Sequence, residues 1–142
     1  MEQDNLSFVL NKIYIKIKEM FKGEGSGHDI HHLKRVLNNA LTIQAKEGGD
    51  LYVIAVSALV HDIHRLMANR LGRFVTAPES IDNVEKILKE TNVDKSKMSQ
   101  ILEAVKWHEK KMKKDIPLEW QVLQDADALD ALGAIGLRRT LR

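Results

Sequence analysis

The segment "ALVHDIHR" (residues 58–65) places an imidazole and a carboxylate directly behind a run of apolar side chains. Upstream, "LYVIAVSALV" (51–60) is apolar on every face, and Asp50 is placed to cap a helix running through 51–67. Such a helix carries His61 and Asp62 into the interior, where an unpaired charge costs several kcal/mol or more. These two side chains therefore need hydrogen-bonding partners or a cation.

On either side of this segment the chain also reads at the helical period. In "LSFVLNKIYIKIKEMF" (6–21), Leu6, Val9, Leu10, Ile13, Ile17 and Met20 fall near i, i+3, i+4, i+7. The glycine-rich "KGEGSG" (22–27) breaks that pattern. A second helix is expected over 29–46, with Asp29 as its cap and Gly48–Gly49 as its stop. Further helices fit 80–91, with a weak cap signal at Ser80, and 95–111, and a last one runs from Leu118 to Arg142. No internal repeat and no pair of alternating strands interrupts this reading. The expected fold is all-α: one compact domain over 1–142 with about six helices.

Composition narrows the class. A chain of 142 residues buries about two-thirds of its unfolded surface. It contains no cysteine, which removes disulfides and every thiolate ligand or nucleophile and fits a reducing compartment. No apolar run approaches the roughly 18–20 residues of a membrane span, and "MEQDNLSF" carries acids where a signal peptide is basic. The expectation is a soluble, cytoplasmic protein with no membrane partner. The net charge of +2 is too small to argue for nucleic acid.

Two other segments bring polar groups to apolar faces. In "GHDIHHLKRV" (27–36), His32 heads the stripe Val36, Ala40, Ile43. In "LEWQVLQDADALDALGAIGLRR" (118–139), Asp127 and Asp130 share a face with Leu123, Ala131 and Ala134, while Asp125 is turned about 200° from Asp127. Asp125 is therefore expected to cap a helix or accept a neighbour's hydrogen bond. His32, His61, Asp62 and Asp127 together offer two imidazoles and two carboxylates, a set suited to Mn²⁺, Fe²⁺, Co²⁺, Ni²⁺ or Mg²⁺. Structural zinc sites more often use thiolates in a closed tetrahedron, so this set points to catalytic work with open positions.

The ordered motifs "HHLKRV", "ALVHDIHR" and "DADALDALGAIG" resemble the HD-domain superfamily of metal-dependent phosphohydrolases, over roughly residues 27–142. The likeness is strongest to small bacterial and archaeal HD proteins, some of them nucleotide pyrophosphohydrolases. An isolated HD dipeptide says almost nothing; three motifs in the right order are specific. Carried over position by position, the family's first histidine matches His32, its doublet matches His61 and Asp62, and its distant aspartate matches Asp127. Members of the family continue well beyond the "GAIG" helix, so part of the pocket wall is expected to lie outside this sequence.

The resemblance implies hydrolysis of a phosphate ester or anhydride, most simply of a nucleotide, by water that a divalent metal ion activates at His32, His61, Asp62 and Asp127. Neutralising the phosphate falls to Arg35, Arg65, Arg73 or Arg139, and proton donation to His108 or Asp130. The stretch 66–78, lacking clear periodicity, is the expected substrate loop. His64 is expected to line the pocket or face solvent, and Trp107 to join the core. His108 is either a surface residue at a helix end or a group at the pocket mouth, and "KWHEKKMKK" (106–114) is a solvated face that also steers polyanions. A second metal site is not expected, since only His64 and His108 lie between Asp62 and Asp127. The rival from another class is a non-catalytic domain that senses a metal or nucleotide; nucleic-acid binding is disfavoured.

Overall fold

The computed structural model describes residues 2–22, 27–109 and 115–140, with side chains over 5–22, 30–109 and 115–132. Among these residues the protein is all-α. Its helices are α1 (Glu2–Met20), α2 (Gly27–Glu47), α3 (Leu51–Val60), α4 (Ile63–Leu71), α5 (Ile81–Glu90), α6 (Lys95–Trp107) and α7 (Leu118–Thr140), with a 3₁₀ turn at Pro78–Ser80. Counting α3 and α4 as one bent element gives the six helices expected.

α3 is the axis of the fold. Every residue from Val53 to Val60 is buried, which explains why its sequence shows no polar face. Its start is fixed by Asp50, whose Oδ1 accepts from the Val53 amide at 3.1 Å while Oδ2 pairs with Lys97. The expected continuous helix over 51–67 is not formed. Backbone at His61–Asp62 turns, Asp62 adopts φ −102° and ψ 16°, and α4 starts afresh at Ile63. That bridge conformation is sparsely populated elsewhere and recurs at active sites. The span Leu51–Leu71 is long and apolar enough to cross a membrane, but 72% of its apolar 18-residue stretch is buried within this fold, as in a core helix.

Two apolar clusters flank α3. α1 lays Leu6, Val9, Ile13 and Ile17 against Leu59, Val60, Ile87 and Leu88. On the other side Val36, Ala40, Ile54, Ala58, Ala104, Val122, Leu123 and Ala126 join α2, α3, α6 and α7. Four of these are alanines, and small side chains let helix backbones approach closely. The site residues emerge from this second seam: His32 one turn before Val36, His61 three residues after Ala58, and Asp127 directly after Ala126.

Several local expectations change. α2 begins at Gly27, two residues before Asp29, whose side chain lies outside the described residues. Ser80 makes no cap; its hydroxyl donates to the Ala77 carbonyl at 2.7 Å. α4 continues to Leu71 and is closed by Gly72 in the left-handed region, so the irregular stretch is 72–77 rather than 66–78. α6 ends at Trp107, and residues 110–114 lie outside the described residues. Trp107 is half-buried and belongs to neither apolar cluster; its indole donates to Glu103 at 2.9 Å. α7 is not central throughout, because Leu129, Ala131 and Leu132 are exposed beyond the buried Val122, Leu123 and Ala126.

Candidate metal centre

Three elements converge at the turn between α3 and α4. From α2, His32 sends Nε2 to 2.9 Å from Asp62 Oδ2 and 3.3 Å from Asp127 Oδ1. His61 places Nε2 at 3.4 Å from Asp62 Oδ1 and 3.5 Å from the same Asp127 oxygen. One ligand atom from each of these four residues lies within 4.8 Å of the others. His61 and Asp62 are buried, His32 and Asp127 partly so, and the group opens to solvent along α7.

The histidine rings are held so that their lone pairs point inward. His61 Nδ1 donates to the Ala58 carbonyl at 2.6 Å, and His108 Nδ1 to the Val105 carbonyl at the same distance. His64 Nδ1 reaches the His61 carbonyl at 3.2 Å. A carbonyl only accepts, so Nδ1 of each ring carries a proton and Nε2 is the nitrogen left to face the group. His32 is fixed by a carboxylate instead: Asp130 Oδ2 lies 2.5 Å from its Nδ1, and Arg35 Nε donates to Asp130 Oδ1 at 2.6 Å. Metal-binding histidines are oriented in this way.

The inward atoms lack partners. His32 Nε2, His61 Nε2, His108 Nε2 and Asp62 Oδ1 are buried without a hydrogen bond; even the 2.9 Å approach of His32 to Asp62 is out of line for one. Each such group costs about 1–3 kcal/mol when left unsatisfied. Acceptors converging on one another, rather than on donors, are satisfied together by a cation, and this donor set fits a divalent one.

Charge completes the description. Asp127 first and Asp62 second push the His32 imidazole up to about 10, against its partial burial. Burial alone would raise the carboxyl of Asp62, but His61 and His32 outweigh it and hold the group well below the usual carboxylate range. Asp127 is held down by His32 and His61 in the same way. A proton on His32 thus occupies, in the metal-free chain, the place a cation would take.

The other expected residues are placed as follows. Asp125 is exposed in the second turn of α7 and caps nothing. Asp130, expected as a candidate proton donor, is engaged by both His32 and Arg35, which places it to orient the His32 ring. Arg65 is exposed with Nε 3.5 Å from Asp62 Oδ1, at the rim of the group. Arg73 instead pairs with Glu79 at 3.3 Å and donates to the Phe74 carbonyl. The Arg139 side chain lies outside the described residues. His108 is at a helix end, as expected, but buried beside Asp62; burial first and the charge of His61 second hold it down to about 4, so it carries no second proton near neutral pH.

Glu109 was not anticipated, and His64, expected to line the pocket or face solvent, takes the first of these places. His64 is buried, with Nε2 2.7 Å from Glu109 Oε1, and it joins Asp62 and His108 in a second group of potential ligands. The available signal was the His-x-x-His spacing of 61 and 64 at the break between helices. A cavity of about 390 Å³ lined by Leu6, Asp50, Tyr52, Asp94 and Lys97 lies at the opposite end of α3, where the charges already pair with each other.

Known proteins share this arrangement of helices. The Bacillus subtilis (strain 168) uncharacterized protein YpgQ is 31% identical over 136 residues, covering 87% of this chain; the chain spans 60% of that protein's length. A predicted HD superfamily hydrolase from an uncultured Thermotogales bacterium, solved as a crystal structure, superposes with a TM-score of 0.70 at 31% identity. That match covers 94% of this chain and 72% of the other. An HD-superfamily hydrolase from Bacillus thuringiensis gives a TM-score of 0.68 at 28% identity over 99% and 65% of the two chains. The HD domain itself matches residues 29–132, a span that contains His32, His61, Asp62 and Asp127, and the chain belongs to the HD domain family.

Proposed function

We propose that this protein is a metal-dependent hydrolase of a phosphate ester or anhydride, with a nucleotide as its substrate. The observation that carries this reading is the convergence of His32, His61 and Asp127 on the buried carboxylate of Asp62, with three inward atoms left unpartnered. The hydrolase names borne by similar structures support the reaction class. A divalent cation bound there supplies a Lewis acid and acidifies a coordinated water.

The chain's own residues do the rest. Asp62 and Asp127 provide the negative charge that retains a divalent ion, and Asp130 keeps the lone pair of His32 aimed at it. Arg65, exposed at the rim, is the first candidate to hold a phosphoryl oxygen; its fork geometry suits that task. Arg35 is the second, although Asp130 already engages its Nε. The basic stretch 106–114 adds attraction for a polyanion. A phosphorylated small molecule fits such a rim better than a neutral ester does.

The test is turnover of a panel of nucleoside triphosphates, monophosphates and cyclic nucleotides by stripped protein reloaded with Mn²⁺, Co²⁺, Ni²⁺ or Mg²⁺. Release of phosphate or pyrophosphate only when metal is present, and not by Asp127→Ala, is the expected result. Ligand-induced stabilisation without product in every metal would instead make the chain a sensor domain.

A further inference from the structure

We propose that Asn39 is a positioning residue for the metal centre: its amide fixes the register of α7 against α2 and so sets where Asp127 stands. The inference rests on the reading of His32, His61, Asp62 and Asp127 as ligands, and it gives a role to a side chain outside that group. Asn39 is half-buried in α2, and its Nδ2 donates to the Ala126 carbonyl of α7 at 3.3 Å. A carbonyl only accepts, which settles how the amide is turned. Ala126 directly precedes Asp127, and within α7 its carbonyl is also the helical acceptor for the Asp130 amide. One backbone group thus links Asn39 to both carboxylates that α7 sends to His32.

The apolar part of this interface does not select a register. Val36 and Ala40 of α2 share a cluster with Val122, Leu123 and Ala126 of α7, beside Ala58 and Ala104. Small apolar side chains set how closely two helices approach, but they resist sliding and rotation weakly. A directional polar contact selects one arrangement, as a lone Asn does in a coiled coil. The seam also ends at Ala126, since Leu129, Ala131 and Leu132 beyond it are exposed. From there polar groups take over. Along one stripe of α2, Asn39 meets the Ala126 carbonyl, Arg35 meets Asp130, and His32 meets Asp130 and Asp127. Arg35 and His32 grip carboxylates on rotatable side chains; Asn39 grips the backbone itself.

The demand for register is strict. Asp127 Oδ1 stands 3.3 Å from His32 Nε2 and 3.5 Å from His61 Nε2. Ligand distances in a metal site hold to about 0.2 Å. Turning α7 by about 20° would move even a Cα, on its cylinder of about 2.3 Å radius, by about 0.8 Å. Loss of the Asn39 contact therefore loosens Asp127 by more than a coordinated ion tolerates.

Mn²⁺ titration of stripped protein, with thermal melts and electron paramagnetic resonance of the bound ion, tests this on three variants. Asn39→Leu keeps the volume and removes the donor, Asn39→Asp sets an acceptor against the carbonyl, and Asn39→Gln keeps an amide. Asn39→Leu should weaken Mn²⁺ binding about 10-fold and change the spectrum of the bound ion. Asn39→Asp should weaken it further, and Asn39→Gln should recover part of what Leu loses. Asn38→Ala, at the exposed neighbouring position, should change neither affinity nor spectrum. If Asn39→Leu does not fold, the contrast between Asp and Gln carries the same test. Parent-like affinity and spectrum in Leu and Asp variants would overturn the positioning role and leave the metal centre standing, even if their stripped forms melted lower. Failure of the folded parent to bind Mn²⁺ would overturn both.

Discussion

Asp130 Oδ2 and His32 Nδ1 are 2.5 Å apart, and Arg35 grips the other oxygen of the same carboxylate at 2.6 Å. The pair links the middle of α7 to the start of α2 and fixes which nitrogen of His32 faces the group. Replacing an outer carboxylate of this kind costs about 10–100-fold in metal affinity. Asp130→Asn should therefore weaken metal binding by that order. A positioning role also leaves the shape of the pH–rate profile unchanged in this variant, whereas loss of a proton donor would remove its alkaline limb.

Asp127 and Asp125 separate the two registers of α7. Asp127→Ala removes a carboxylate lying 3.3 Å from His32 and 3.5 Å from His61 and should abolish tight metal binding with helical content intact. Asp125 is exposed within the helix, so its replacement should stay within about 0.5 kcal/mol of the parent and retain the metal. Metal analysis and thermal melts of both purified variants distinguish the outcomes, and the reverse pattern would place the register half a turn away.

Much of this was legible because the relevant faces are amphipathic. His32 stands at the head of an apolar stripe in α2, and Asp127 follows Ala126 on the buried face of α7. The break at His61–Asp62 was not legible, because the run 51–60 is buried on all sides and carries no periodicity to interrupt. The choice for His64 between lining the pocket and facing solvent stayed open for the same reason, since its direction follows from the restarted helix rather than from a continuous one. His108 was ambiguous because burial at a helix end comes from what packs over it, here Asp62 and the rings of His61 and His64. Trp107 was read as core, yet among the described residues it is half-buried and joins neither apolar cluster.

Removal of metal should make stability depend on pH in a defined direction. His32 has its pKa raised from 6.5 to about 10 in the metal-free fold, so its contribution is complete below about pH 6.5 and is lost as pH rises towards 10. Asp62 and Asp127 are lowered from 3.8, so theirs is present above about pH 4 and is lost as pH falls below it. Stripped protein should thus be most stable between about pH 4 and 6.5 as far as this group is concerned. A cation displaces the His32 proton, so the gap in Tm between Mn²⁺-saturated and stripped protein should widen from pH 6 to pH 9. A gap that narrowed over this range would contradict the assignment of His32 as a ligand.

The turn after α2 offers a stability test remote from the metal centre. Gly48 and Gly49 both have positive φ, at +88° and +97°, where an L side chain is strained by about 1–2 kcal/mol. They differ in their surroundings. A Cβ at position 48 meets nothing within 4 Å, whereas one at position 49 would sit 3.0 Å from Ile54 Cδ1 and 3.1 Å from Glu119 Oε2. Glu119 also accepts a 2.9 Å hydrogen bond from the Asp50 amide, so displacing it loosens the start of α3 as well. Gly48→Ala should therefore show the backbone strain alone, and Gly49→Ala that strain plus a hydrogen bond worth about 0.5–1.5 kcal/mol. Denaturant melts should rank Gly49→Ala below Gly48→Ala, with Mn²⁺ affinity the same in both, because this turn lies at the end of α3 away from His61. Equal destabilisation would mean that the Ile54 and Glu119 side chains yield at no cost and that the start of α3 does not depend on them.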